Sequence, residues 1–484
     1  MAGPQRHRLL QGYPMMPLMR RAVPAPPEGA LPAVRRLDGA FAGPPEEPPW
    51  VRIDPARPVI VGVLPHTQCN PRVEGCGFCT FPHDRYHKAT LHRTVEAVGE
   101  EVTAFFAAHP EMARRRVDGL YFGGATANLM PPGALAQLGE TLARHLDLTG
   151  AEVTLEGVPS LFRSLFTGPF EALLEVPARH RRLSMGVQTF DPAQLRRMGR
   201  QGFGDRATVE KVTAKAHRHG LTASGDFLIN LPHQPREQML ADARAAAAMG
   251  LDQICIYHLV LTEQTGTPWA ADPALLAALP SVAEACDNWL AVRASLLEQG
   301  YVQTTLTNFE RADVHATDRR FVYEAHSFTP DRYDALGFGP LSISTFVDVA
   351  ARRAIKHVRG KSMGVRGSAL GGNRDLYFAY EEEDLRLLHL TRTLVRLRVD
   401  LGDYRALLGA SLETHFAGAL AAVVEAGLAE LDEEALRLTP RGMFYADSVA
   451  GLFAWRRVEA LRETGAGRHT REVVGDRMFV DFMG

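Results

Sequence analysis

Between about residue 57 and 360, short apolar runs alternate with longer stretches of helical spacing. "PVIVGVLP" (58–65) is compact and rich in β-branched residues, which predicts a buried strand. "TVEAVGEEVTAFFAAH" (94–109) repeats its apolar residues three and four apart, which predicts a helix. The alternation continues with strands over 117–124, 151–157, 181–190, 222–232 and 251–261. Helices over 132–146, 208–220 and 236–250 lie between them, the second closed by a glycine stop. Repeated βα units of this length predict a parallel sheet with helices outside, as a barrel or an open doubly wound sheet, with functional side chains at the C-terminal ends of the strands.

The pattern changes after about 370, where amphipathic helices are predicted over 382–400, 412–427 and 443–463, with a short β-wing at 428–442. Helices plus a wing predict a small winged-helix-like domain. Read alone it would suggest DNA binding, but no basic recognition stripe stands out. The first 50 residues are proline-rich ("VPAPPEGALPAVRRL", "AGPPEEPPW") and resist regular structure. They read either as an extended arm lying on the body or as a free tail. The expected division is an arm (1–50), an α/β core (51–365) and a C-terminal helical domain (366–484).

Composition narrows the function classes. With 484 residues, 46% hydrophobic and 23% charged, the chain reads as an ordinary globular protein of two or three domains. A net charge of −2 gives no bulk attraction to nucleic acid or membrane. Five cysteines, no apolar run of spanning length and no clean signal peptide suggest a reducing, cytoplasmic setting.

Three of those cysteines fall in "CNPRVEGCGFC" (69–79), just after the first predicted strand. Cys76 and Cys79 have the spacing of a zinc knuckle, and Cys69 with His66 or His83 would complete a Cys₃His set. Three thiolates without a fourth ligand also suit an iron–sulfur cluster with one open iron, which an amine and a carboxylate of a small molecule can chelate. Cys255 and Cys286 read as buried apolar cysteines without chemistry. His66, His83 and His87 read either as supports of the cysteine loop or as polar loop residues.

Several further segments carry a resemblance. "YFGGATANL" (121–129), "RLSMGVQTF" (182–190), "SGDFLINLPHQ" (224–234), "YDALGFGPLSIS" (333–344) and "LRLTPRGMFYADSV" (436–449) occur in that order. With the cysteines they make the chain similar to the radical SAM superfamily and, within it, to the oxygen-independent coproporphyrinogen III oxidase-like family. The resemblance spans roughly residues 58 to 460. It implies a partial (β/α) barrel of radical SAM type with a C-terminal winged-helix-like domain. It also implies that Cys69, Cys76 and Cys79 hold a [4Fe–4S] cluster whose open iron takes S-adenosylmethionine (SAM). Phe78, Gly124, Ala125, Thr126, Glu156, Gln188, Arg200, Asp226, Val260 and Ile343 fall on positions that contact one or two SAM molecules. No further catalytic side chain is singled out. The implied partners are a small-molecule substrate and a one-electron donor such as flavodoxin or ferredoxin.

Departures from the family pattern set the expected reaction. The first cysteine gap is six residues rather than three, and "VLPHTQC" has Val63 where the porphyrinogen oxidases carry a tyrosine. "GGATAN" stands for "GGGTPT", and "EAHSFTPDRYD" replaces a Gln-Gly-Tyr segment. These point first to class C-type methyl transfer or C–C bond formation on an sp² carbon, with reductive SAM cleavage to a 5′-deoxyadenosyl radical. An oxygen-independent coproporphyrinogen III oxidase or other tetrapyrrole enzyme is the alternative. A haem chaperone without turnover is the second alternative.

Overall fold

The computed structural model describes residues 5, 10, 12–13, 20–21, 53–69, 76–81, 83–163, 168–360 and 376–463. Six parallel strands form its centre: β2 (Val59–Val63), β3 (Val117–Phe122), β4 (Glu152–Gly157), β5 (His180–Gln188), β6 (Thr222–Ile229) and β7 (Gln253–His258). They neighbour one another in chain order. Helices α1 (Lys88–Ala108), α2 (Pro132–His145), α3 (Arg206–Arg218) and α4 (Arg236–Ala248) are four of the crossover segments. The repeated βα pattern therefore becomes a parallel sheet, as expected.

Strict alternation gives this sheet two unlike faces. Val59, Val61, Val63, Leu120, Phe122, Val153, Leu155, Leu183 and Met185 are fully buried in one core with Leu91, Val95, Val98 and Phe105 of α1. Each such side chain contributes about 2 kcal/mol by leaving water. The intervening positions are polar: Glu152, Thr154 and Glu156 on β4; Arg182, Ser184 and Gln188 on β5; Ser224 and Asp226 on β6; Gln253, Cys255 and Tyr257 on β7. Arg182, fully buried, sits between Glu152 and Glu310 (3.6 Å each) and donates to Gln253 Oε1 at 3.0 Å. Burial first, eased by Arg182, pushes the Glu152 carboxyl up to about 7.

Antiparallel strands extend the sheet on both sides, and the sequence pattern did not separate them. β8 (Tyr301–Gln303) and β9 (Asn308–Arg311) follow β7; β10 (Asp334–Phe338) pairs parallel to β2 and leads to β11 (Ile343–Asp348), β12 (Arg353–Val358) and β13 (Leu376–Tyr380). Among the described residues the sheet has thirteen strands and does not close on itself. A short helix, α6 (Tyr323–Ser327), lies across the inner face, and α5 (Val282–Glu298) precedes β8. A Cβ at Gly62 would come 2.7 Å from Tyr323 Oη, and one at Gly119 would come 3.0 Å from Tyr323 Cα, so two glycines make room for α6.

The C-terminal region has α7 (Glu382–Val395), α8 (Leu412–Glu425) and α9 (Ala446–Glu463) around a small sheet of β14 (Arg398–Asp400), β15 (Ala429–Leu431) and β16 (Ala435–Leu438). The helix expected over 382–400 ends at Val395, because its last residues pair with β16 instead. The helix expected from 443 likewise starts at Ala446, after a separate turn at Pro440–Phe444.

The described N-terminal residues lie on this body. Arg20 and Arg21 form strand β1, paired with Tyr377 and Leu376 of β13. Tyr13 Oη donates to Asp384 Oδ1 at 2.8 Å, Tyr380 Oη donates to the Tyr13 carbonyl at 3.0 Å, and Lys356 Nζ donates to the Gly12 carbonyl at 3.1 Å. Arg457 grips both oxygens of the fully buried Asp384, at 2.8 and 2.7 Å. Most of the proline-rich segment lies outside the described residues. Asp384→Ala leaves the buried Tyr13 phenol without its acceptor and the half-buried Arg457 with only Glu381 (3.0 Å), and should cost about 3 kcal/mol, against about 1 kcal/mol for Tyr13→Phe; urea unfolding midpoints of the two variants check the order.

Candidate functional site

The three clustered cysteines lie just beyond the C-terminal end of β2. Both ends of their loop are tied down: the Cys69 amide donates to the Asp84 carbonyl (3.4 Å), Asp84 N to Thr67 O (2.8 Å), Thr67 Oγ1 to Asp84 Oδ2 (2.7 Å) and His87 N to Gln68 Oε1 (2.7 Å). Residues 70–75, the enlarged part of the loop, lie outside the described residues. Gly77 turns at φ +74, and its carbonyl accepts from Trp269 N at 2.9 Å. Phe78 packs edge-on to Trp269, ring centroids 5.6 Å apart.

The thiols feel one another. Burial first, then the neighbouring cysteines, pushes Cys69 up to about 12, with Thr126 opposing the rise. Burial and Cys76 push Cys79 up to about 11. Cys69 and Cys79 thus resist ionisation until something positive joins them, and a cationic metal group reverses that balance. No three His, Cys, Asp or Glu groups among the described residues are placed to hold a single metal ion. A cluster asks for less convergence, because its thiolates bind different irons. His66 Nδ1 accepts from Gln68 N at 3.2 Å and His83 Nδ1 faces the Phe81 carbonyl at 3.0 Å, and neither is placed with the cysteines as a single-ion site among the described residues. His87 caps α1 through Thr90 N.

Arg200 joins the loop to the sheet. Its Nη1 donates to Cys76 Sγ at 3.1 Å and its Nη2 to the Gly186 carbonyl at 2.6 Å, with the guanidinium over the Phe203 ring at 4.3 Å. A Cβ at Gly186 would come 3.2 Å from Gln188 Nε2 and 3.3 Å from Arg200 Nη2, which places those two side chains together. Gln188 itself sits at φ +72, where β5 shifts register against β6. Gly124, at φ +83, donates its N–H to Glu156 Oε2 at 3.3 Å; Ala125 follows at φ +38, and Thr126 is buried.

Below these strand ends lies a chamber. Tyr121, Glu156, Gln188, Asp226, Tyr323 and Glu324 are enclosed by the sheet and α6 yet keep accessible surface, and Tyr257 is 39% exposed. Tyr121 and Tyr323 lie with centroids 5.0 Å apart. Glu324 accepts from Asn308 Nδ2 and from Thr305 Oγ1. Burial, with repulsion from Asp226, raises Glu156 to about 7; burial raises Glu324 to about 7 and Asp226 to about 6. The chamber therefore holds three carboxyl groups that gain or lose protons near neutrality. Among the described residues its cations are committed, Arg200 to the loop and Arg182 to Glu152 and Glu310.

Of the expected site residues, the cysteines, Phe78, Gly124, Ala125, Thr126, Glu156, Gln188, Arg200 and Asp226 meet around this mouth. Val260, half-buried, follows β7. Ile343 starts β11 with its backbone against Gly337. Cys255 is buried, as expected, and pairs in register with Asp226. Val63 is fully buried in the core shared with α1. Tyr121, Ser184, Tyr257, Tyr323, Glu324 and Trp269 were not anticipated. For β7 the signal was present, since Gln253, Cys255 and Tyr257 alternate with Ile254 and Ile256.

The radical SAM superfamily model matches residues 63–246, and the HemN C-terminal domain model matches residues 391–445. The chain thus carries a radical SAM segment and a HemN C-terminal segment. A radical SAM segment implies a [4Fe–4S] cluster and SAM. The oxygen-independent coproporphyrinogen III oxidase of Bradyrhizobium diazoefficiens is 26% identical over 383 residues, 74% of this chain and 78% of that protein. The heme chaperone HemW of Haemophilus influenzae is 25% identical over 305 residues, 60% of this chain and 73% of that protein. The structure of coproporphyrinogen III oxidase (HemN) from Escherichia coli, a radical SAM enzyme, has the same fold, with a TM-score of 0.66 at 21% identity over 83% of this chain and 91% of that one. No helix among the described residues is long and apolar enough to cross a membrane.

Gly77 offers a test of the loop that needs no cofactor. A Cβ there would lie 2.1 Å from Trp269 Nε1, at a φ that disfavours any side chain. Gly77→Ala should push the buried indole outward and shift its emission to the red, and a Trp269→Phe background should remove the shift.

Proposed function

We propose that the chain is a SAM-cleaving radical enzyme of the coproporphyrinogen III oxidase type, acting on a tetrapyrrole-class substrate. The observation that carries this reading is the meeting, at one set of strand ends, of three mutually interacting thiols, Arg200 on the Cys76 sulfur, and a carboxylate-lined chamber. When bound, the cluster and SAM together supply a 5′-deoxyadenosyl radical. Cys69, Cys76 and Cys79 would hold the cluster. Gly124 gives close backbone approach, and Glu156, Gln188 and Asp226 would take the hydrogen-donating groups of SAM. Phe78 and Trp269 back the cysteine loop and keep water from its inner side.

The relatives support oxidation of a tetrapyrrole more than methyl transfer, which was the first expectation from the sequence; none of those named above is a methylase. Because the chamber is acidic, a polyanionic substrate would meet it with its carbon skeleton and keep its carboxylates outside.

Replacing all three clustered cysteines with alanine should abolish bound iron, sulfide and the brown absorption; retention of about four irons per chain in that variant would refute the ligand assignment. With coproporphyrinogen III, an electron donor and methyl-deuterated SAM, the expected products are 5′-deoxyadenosine free of deuterium and carbon dioxide. Formation of S-adenosylhomocysteine, with deuterium in the deoxyadenosine, would replace this reading with methyl transfer.

A further inference from the structure

Gln188 stands at the mouth of the chamber with a backbone that side chains rarely adopt, φ +72, where β5 shifts register against β6. Such a conformation is strained and persists only where the neighbouring chain holds it. The ladder holds the residues before it, since Gly186 pairs with Asp226. The residues after it are held by Asp242, a buried carboxylate on α4, the helix between β6 and β7. Asp242 Oδ2 accepts from Thr189 Oγ1 at 2.6 Å, and its Oδ1 accepts from the Phe190 amide at 3.2 Å and from Gln238 Nε2 at 2.9 Å. Thr189 Oγ1 in turn accepts from the Asp191 amide at 3.1 Å, and Asp191 caps the short helix Pro192–Arg197 by accepting from Ala193 N at 2.7 Å. The Phe190 ring packs edge-on to Phe227, centroids 5.3 Å apart. Gln188 is thus caught between two anchored segments and takes up the bend. Its amide is left beside Arg200, because a Cβ at Gly186 would lie 3.2 Å from Gln188 Nε2 and 3.3 Å from Arg200 Nη2.

We propose that Asp242 is a positioning residue: through Thr189 and Phe190 it locks Gln188 in its left-handed conformation and so aims the Gln188 amide at bound SAM. The inference rests on the reading that Gln188 faces SAM. A buried carboxylate that accepts three hydrogen bonds is a rigid anchor, because each acceptor lost leaves a donor unpaired away from water. Without the anchor, Gln188 relaxes toward the backbone regions that side chains favour. Its amide then leaves the neighbourhood of Arg200. SAM loses one hydrogen-bonding partner, while the cysteine loop and the other strand ends keep their places.

The test uses the reconstituted full chain without reductant, so that no turnover occurs, and measures radiolabelled SAM by equilibrium dialysis. Iron content and the urea unfolding midpoint are recorded for each variant. Asp242→Ala removes the anchor, and Thr189→Val removes the hydroxyl at nearly constant volume. Each should weaken SAM binding about fivefold, as expected for one lost hydrogen bond, with iron content unchanged. Thr189→Ser restores the hydroxyl and should return the affinity to within about twofold of the parent. Gln188→Ala should show the same loss, and Thr189→Val added to it should weaken binding no further. A merely structural anchor would lower the urea midpoint of Thr189→Val and leave SAM affinity at the parent value, or would lower affinity equally with and without the Gln188 side chain; either result overturns the proposal. If Asp242→Ala does not fold, Thr189→Val and Thr189→Ser decide. If Gln188→Ala binds SAM like the parent, the placement of SAM at Gln188 falls, and the proposal with it. If Gln188→Ala weakens binding but Thr189→Val does not, only the role of Asp242 falls.

Discussion

An inner sheet face that cannot be left unpaired governs this structure. Glu152, Glu156, Arg182, Ser184, Asp226, Gln253 and Cys255 project from parallel strands whose other face is bonded into an apolar core. Polar groups in such a place must find partners or keep solvent, since each unpaired buried group costs on the order of 1–3 kcal/mol. The chain does both. At the N-terminal ends of the strands, Arg182 is committed to Glu152, Glu310 and Gln253. Toward the C-terminal ends the carboxylates keep accessible surface and form the chamber.

Closing the floor of that chamber falls to a segment distant in sequence. The helix Tyr323–Ser327 crosses the inner face, and Gly62 and Gly119 give it room. The same principle operates at the mouth. Gly339, at φ +92, has no space for a Cβ, which would lie 2.0 Å from the Leu64 carbonyl just before the cysteine loop. Glycines on the sheet thus mark where another segment approaches the strands closely.

Arg200 ties chemistry to architecture. It bonds a sulfur of the loop with one nitrogen and a strand carbonyl with another, so the loop is registered against β5. Its neighbours Arg196 and Arg197 lie on the short helix Pro192–Arg197 just before it, and Arg197 instead donates to Gln194 and the Pro232 carbonyl. Three arginines that look alike in sequence are separated by where the chain turns at Gly199, φ +67.

The sequence by itself determined the parallel βα core, the helices and wing of the C-terminal region, and the collection of three cysteines after the first strand. Each depends on local periodicity or on residues close in the chain, which a linear reading can see. Family motifs extended this to Glu156, Gln188, Arg200 and Asp226 by their order alone. The antiparallel strands β8, β9 and β11–β13 were hidden because their partners are set by long-range pairing and not by a repeating local pattern. Cys255 and Tyr257 were visible only as alternate residues on a buried strand. Which face of that strand is the chamber, and which the helix-side core, is decided by the neighbours on either side, and only the tertiary structure supplies them.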